Sequence, residues 1–438
     1  MKAGRNLIQI WLVLLALSTS TAFAQPVTTV AAGVSDSLFV KSDGSAWGMG
    51  QNDDGQLGDG STSNTNLPVG IVPSGVTAIV SHYHTLFLKN DGSLWGSGDN
   101  GEGQLGNGTT SNTNLPVEIV PNGVTAITVG YNHSLFLKSD GSLWGMGENN
   151  DGQLGLGSIS KTNLPVKIVP SGVTAVSSGE WHSLFLKSDG SLWGMGLNSY
   201  GQLGNGTTNN TNLPVGIVPS GVTAIAAGNN HSLFLKSDGS LWAMGQNSFG
   251  QLGDGTTNNQ TLPEQILSGG VTAICGWNQS LFIMTNGSLW GMGLNLGGEL
   301  GIGTSTNTYL PVQIEPSSVI GIAAGNVHSL FIKSDGSLWA MGENSAGQLA
   351  GVTSRTYVPA QILGPYNQVV GNITGRTNLQ LSFVGVANAN YALDRSSSLS
   401  PPNWIPQATN AASSFGPLVF TNTPDATTNN FWRIRSVP

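Results

Sequence analysis

The residues of this chain with the widest chemical range are six histidines and a single cysteine, Cys275. Five of the histidines fall in a regular series, Asp36, His84, His133, His182, His231, Gln279 and His328, at separations of 48, 49, 49, 49, 48 and 49 residues. A row of imidazoles could bind a metal or move protons near neutral pH. Such even spacing, however, puts each residue at the same place in its own copy of one unit, which spreads the series instead of gathering it. A repeated structural hydrogen bond is expected there. His82 and His84 lie two apart and could share a strand face, but no third ligand accompanies them, so no metal site is expected. Glu180 beside His182 is an acid–base neighbour pair, yet its slot holds unrelated residues in the other copies, which argues against catalysis.

The remaining motifs are weaker. Gly96-Ser-Gly98-Asp-Asn-Gly101 formally matches the dinucleotide fingerprint, but no helix pattern follows to receive a pyrophosphate. Asn52-Asp-Asp-Gly55 with Asp59 loosely resembles a calcium loop without the alternating ligands and terminal glutamate of an EF-hand, and reads as a turn. No Gly-x-Ser-x-Gly elbow or His-Glu-x-x-His occurs. Cys275 reads as a small buried hydrophobe in a strand, and no cofactor is expected.

The elements that position these residues are set by a repeat. Tryptophan recurs as Trp47, Trp95, Trp144, Trp193, Trp242, Trp290 and Trp339, giving seven units of 48 or 49 residues. In the third unit, Val124-Thr-Ala-Ile-Thr-Val129, Ser134-Leu-Phe-Leu-Lys138, Ser142-Leu-Trp-Gly-Met146 and Pro165-Val-Lys-Ile-Val169 are strand-like, rich in β-branched and large apolar residues. Asp140-Gly141 lies between the second and third runs, where a tight hairpin needs positive φ. Leu135, Phe136 and Leu137 follow one another without a polar break, so that strand is apolar on both faces. A period in the high forties with four such runs predicts an all-β, seven-bladed propeller, whose blades bury their faces only against each other.

Four runs carry a resemblance: Gly130 to Leu135 (Gly-x-x-His-Ser-Leu), the Asp140-Gly141 hairpin, Trp144 to Asn149 (Trp-Gly-x-Gly-x-Asn) and Gly152-Gln-Leu-Gly155. They resemble the regulator of chromosome condensation (RCC) repeat, over about residues 27 to 365. The sixth unit departs most, with Gln279 for the histidine, Met284 for the lysine and Gly298-Glu-Leu-Gly301 for the glutamine turn. The founding member of that family exchanges guanine nucleotide on a small nuclear GTPase and binds chromatin. That activity is not expected here, because no basic tail and no long wedge-like insertion are present. Exported bacterial relatives of the repeat include protein inhibitors of β-lactamases, and this chain resembles them in class.

The expectation of export rests on residues 1–24: Lys2 and Arg5, an apolar run from Leu7 to Leu17, then Ala22-Phe-Ala24. This is the pattern of a signal peptide cleaved after Ala24, and the run is too short to span a bilayer. A secreted or periplasmic location follows, with no membrane span afterwards. Removing the leader leaves 13 basic against 23 acidic residues, a net of −10. Nucleic acid is therefore not an expected partner. After the propeller at 25–365, residues 366–438 lose the period. Runs such as Leu379-Gln-Leu-Ser-Phe-Val384 and Phe431-Trp-Arg-Ile-Arg435 predict a small, sandwich-like C-terminal β module.

Functional expectation comes from how the units differ. In a four-stranded meander, loops between strands one and two and between strands three and four emerge at one end. The positions before each histidine or its substitute vary there: His82-Tyr83, Tyr131-Asn132, Glu180-Trp181, Asn229-Asn230 and Trp277-Asn278. Tyr200 and Phe249 stand out on the other loop at that end. Rigidly mounted aromatics suit a binding face. The expectation is a monomeric, non-enzymatic protein that binds a protein partner through Tyr83, Tyr131, Trp181, Tyr200, Phe249, Trp277, His82 and Glu180, an enzyme inhibitor being the concrete version. A glycan-binding propeller is one alternative, and a lyase or hydrolase with its site over the central channel is another.

Overall fold

Each repeat folds as one antiparallel meander, and the third shows why. Its strands are Val124–Val129, His133–Lys138, Leu143–Gly147 and Thr162–Val169. Asp140 Oδ1 accepts from the Ser142 main chain at 2.9 Å and Gly141 takes φ +75°, which together turn the second strand into the third. Phe136 pairs with Ile127 on one side and Trp144 on the other. Its side chain joins Leu86, Leu88 and Leu94 of the preceding blade, whereas Leu135 and Leu137 join Phe185 and Met195 of the following one. The unbroken Leu-Phe-Leu run is thus an alternating strand with two buried faces. Burial of one such phenylalanine is worth about 3 kcal/mol.

The computed structural model describes residues 25–352 and 354–364, with the strands Val370–Thr374, Asn378–Phe383, Asn390–Ser396, Ile405–Ala411, Leu418–Asn422 and Phe431–Val437. The leader expected at 1–24, and its cleavage after Ala24, lie outside the described residues. Among the described residues every regular element is a strand, and no helix is long and apolar enough to cross a membrane.

The chain divides into two units, of which Val27–Ile362 is a seven-bladed propeller of four-stranded sheets, each taken in sequence order. No strand is exchanged between blades. The ring closes where the first blade meets the seventh: Val27 N donates to Gly336 O at 3.2 Å and Asn326 N to Gly33 O at 3.2 Å. First strands surround a central channel and fourth strands form the outer edge, where Leu164 is 55% exposed. The recurring tryptophan is held near that edge. Trp144 Nε1 donates to Ser142 Oγ at 2.8 Å, and Lys138 Nζ lies 4.8 Å from the ring centroid.

The second unit includes Leu363–Pro438 and contains two three-stranded antiparallel sheets. One orders Val370–Thr374, Asn378–Phe383 and Leu418–Asn422; the other orders Ile405–Ala411, Asn390–Ser396 and Phe431–Val437.

Candidate binding face over the central channel

The histidine series is a hydrogen-bonded belt between blades. His84 Nε2 meets Ser134 Oγ at 2.7 Å, His133 meets Ser183 at 3.0 Å, His182 meets Ser232 at 3.0 Å and His231 meets Ser280 at 2.7 Å. His328 reaches Ser37 at 2.9 Å and closes the ring, while Gln279 donates to Ser329 Oγ at 3.1 Å in the sixth blade. Ser134 Oγ spends its own hydrogen on Gln104 O at 2.8 Å, so it accepts from His84. The His84 proton therefore sits on Nε2, and its Nδ1 has no partner. Burial pushes His84, His133, His182 and His231 down to about 3 and His328 to about 4, so all five are neutral at physiological pH. The glycine three residues before His133, His182, His231 and His328 makes room for the ring: a Cβ on Gly130 would lie 2.1 Å from His133 Cε1. Asp36 is the exception. It accepts from Ser81 Oγ at 2.6 Å, and burial pushes it up to about 7.

The other motif residues are also committed to structure. Asn52 Oδ1 accepts from Leu57 N at 2.9 Å and its Nδ2 donates to Asp59 Oδ1 at 3.1 Å, so the calcium-like stretch is a cross-linked turn. Gly96 and Gly98 lie in the strand Leu94–Gly98, with a turn after it. Among the described residues, no group of three or more His, Cys, Asp or Glu side chains is placed to hold a metal ion.

The two sets of variable loops do share one end. Asp99 N donates to Tyr83 O at 3.0 Å, Glu148 N to Asn132 O at 2.8 Å and Leu197 N to Trp181 O at 2.9 Å, tying each strand three–four loop to the one–two loop of its own blade. Four blades bring five rings together there. Trp277 lies 4.5 Å from His82, His82 lies 5.2 Å from Tyr83 and 5.3 Å from Tyr131, and Tyr83 meets Tyr131 edge-on at 5.0 Å. Tyr131 then stacks on Trp181 at 4.7 Å, with planes 27° apart. Offset and edge-on contacts of this kind are favourable. On the opposite side the rim is polar: Asn229 Nδ2 bonds to Asn278 Oδ1, and Asn278 Nδ2 to Asn326 Oδ1, both at 3.2 Å.

Beneath the rings lies a cavity of about 210 Å³, lined by the first strands of all seven blades. His82, Glu180, Asn229 and Trp277, each the first of its blade's two variable residues, line it. His82 is 4% exposed and neither ring nitrogen has a partner. Burial, with His84 and His133 nearby, holds His82 well below the usual imidazole range, and burial raises the Glu180 carboxyl above its usual range. His182 belongs to the belt, so the Glu180–His182 neighbour pair is divided, whereas Glu180 and His82 share the cavity.

Tyr200 and Phe249 are placed differently from the rest. Both are half-buried in strand three–four turns, their main-chain N–H groups donating to Gln202 Oε1 at 3.0 Å and Gln251 Oε1 at 2.9 Å. Among the described residues neither touches the ring cluster or lines the cavity. Cys275 is half-buried on the channel wall instead of fully enclosed, and desolvation pushes its thiol up to about 12. Sequence reasoning missed the channel-facing Thr128 and Ser178, which occupy ordinary strand positions.

A family model described as RCC1-like domain matches residues 73–380, and one described as regulator of chromosome condensation (RCC1) repeat matches residues 43–88. No curated protein sequence matches the chain significantly. Among solved structures, human WBSCR16 superposes with a TM-score of 0.65 at 22% identity, over 73% of this chain and 94% of that one. Prp20p from Saccharomyces cerevisiae, described with its binding to Gsp1p and histones, gives 0.63 at 22% identity, over 78% and 87%. The same yeast protein bound to Kap60 gives 0.63 at 21%, over 82% and 91%. At these identities the likeness is one of fold, and an RCC1-like propeller suits binding in general. The family model covers most of the chain, and the chain belongs to the RCC1-like domain family.

Proposed function

We propose that this protein is exported, has no catalytic activity, and binds a protein partner through the channel mouth that carries Tyr83, Tyr131, Trp181 and Trp277. The observation that carries the reading is the joining of five rings from four blades at the one end where the repeats diverge. Ring surfaces mounted on a rigid scaffold supply contact area at small entropic cost. Because the rings form one irregular patch instead of seven equal sites, a single protein surface suits them better than a glycan array. Inhibition of a secreted or periplasmic enzyme is the concrete form. The buried, neutral histidine belt supports a role without acid–base chemistry. Prp20p's reported binding to Gsp1p and histones is not carried over at 22% identity.

The test is affinity capture from secreted and periplasmic extracts with residues 25–438, beside a variant with Tyr131→Ala and Trp181→Ala. One protein retained by the parent and lost by the variant is the expected result, with a loss of about 2–4 kcal/mol in binding if these rings are hot spots. Equal retention by both would discard the face.

A further inference from the structure

The cavity below the rings has a chemical character of its own. Its deeper wall is small and apolar, with Ala31, Ala32, Ala227, Ala323 and Ala324 among the lining residues. Its polar lining includes one carboxyl group, Glu180, and no lysine or arginine. Among the described residues the ion pairs are Lys161–Glu102, Lys333–Glu315 and Arg355–Glu343, so Glu180, whose carboxyl accepts a hydrogen bond from the Trp181 side chain, has no cationic partner. Two further groups on the cavity have unused hydrogen-bonding capacity. His82 is more than nine-tenths buried with both ring nitrogens unpartnered, and Ser178 Oγ, 9% exposed, is also unpartnered. Trp277 adds an aromatic surface, and the whole chain carries a net charge of −8.

We propose that this cavity takes one organic cation, a guanidinium or ammonium group on an alkyl stem, and that arginine or lysine from the bound partner supplies it. The stem would lie against the alanine wall. The cationic head would meet the Glu180 carboxylate and the Trp277 ring, and donate a hydrogen bond to the lone pair of neutral His82. A desolvated carboxylate without a counter-charge is costly, and a cation removes that cost. The inference rests on the binding face proposed above, since it names the group that face accepts, but its test needs no partner.

Protein comprising residues 25–438 is titrated calorimetrically at pH 8 with N-butylguanidinium, with the peptide acetyl-Gly-Gly-Arg-Gly-Gly-amide, and with the same peptide carrying neutral citrulline. Saturable binding of the arginine peptide is expected, with citrulline and the Glu180→Gln protein each weaker by about tenfold or more, the usual worth of a charge-assisted hydrogen bond. Tighter binding of the peptide than of butylguanidinium assigns the site to a protein side chain. Equal binding assigns it to the cation alone and removes the partner residue from the proposal. Citrulline binding as well as arginine, an unchanged Glu180→Gln protein, or no saturable binding of either cation would overturn it. A partner captured through Tyr131 and Trp181 but indifferent to Glu180→Gln would keep the face and discard the cation. An unchanged melting temperature for Glu180→Gln separates lost binding from lost fold.

Discussion

Trp277 of the sixth blade lies over His82 of the second, ring centroids 4.5 Å apart and planes inclined by 37°, so one aromatic contact joins blades far apart in the ring. His82 is thereby shut away from water and held neutral. Replacing Trp277 by Ala lets water reach the imidazole, and its pKa should rise back toward the ordinary 6.5. The check is the His82 Cε1–H signal followed by NMR from pH 8 to 5. It should stay flat in the parent and titrate in Trp277→Ala. A flat profile in both would mean that the tryptophan does not control the site.

The belt makes a prediction about stability. Ser134→Ala removes the acceptor of His84 Nε2–H and the donor to Gln104 O, leaving buried groups unpaired. The expected cost is about 1–3 kcal/mol, read as a lower urea midpoint with an unchanged slope. Ser111→Ala, at an exposed loop position, serves as the reference and should move the midpoint by less than about 0.5 kcal/mol. Equal effects would show that the belt adds nothing to cohesion between blades.

Acid should open the propeller through the same residues. Four belt histidines are pushed down to about 3 and His328 to about 4, all below the 6.5 of an unfolded chain. A depressed folded-state pKa means that the stabilisation is complete above 6.5 and is lost as the pH falls toward 4 and 3. Each histidine is worth on the order of a few kcal/mol across that window. Five together exceed the usual margin of a folded domain. Tryptophan fluorescence and near-UV dichroism should show a cooperative transition between pH 6.5 and 3. A spectrum at pH 3 identical to that at pH 7 would contradict the burial of these rings in neutral form.

The fold was readable from residues because each blade repeats the same local instructions. An Asp-Gly turn, replaced by Asn286-Gly287 in the sixth unit, a doubly apolar second strand such as Leu135-Phe136-Leu137, and a tryptophan every 48 or 49 residues specify one meander seven times. The end at which Tyr83, Tyr131 and Trp181 emerge was readable for the same reason, since strand count fixes which loops share a side. Radial reach was not. Whether a loop residue points into the channel, as His82 and Trp277 do, or stays in a turn of its own blade, as Tyr200 and Phe249 do, depends on blade tilt and channel width. The repeat period contains neither. The C-terminal strand Val370–Thr374 was not legible because Gly371 and Asn372 interrupt its apolar pattern.

Asp36 opposes the belt, and that opposition can be measured. The carboxyl is buried, its Oδ2 accepts from Ser81 Oγ at 2.6 Å, and its Oδ1 has no partner. Burial raises it from 3.8 to about 7, so the neutral acid is tolerated below 3.8. The penalty for ionising it grows as the pH rises through the interval and is complete above 7. Asp36→Asn keeps an acceptor for Ser81 and cannot ionise. It should therefore stabilise the propeller by on the order of 2–4 kcal/mol at pH 8 and by much less at pH 5. Urea unfolding of both proteins at the two pH values decides the matter. A gap between the midpoints that widens with pH supports a buried, uncompensated carboxylate in the first blade. A constant gap would show that Asp36 finds solvent or a counter-charge, and that the first blade's departure from histidine carries no electrostatic cost.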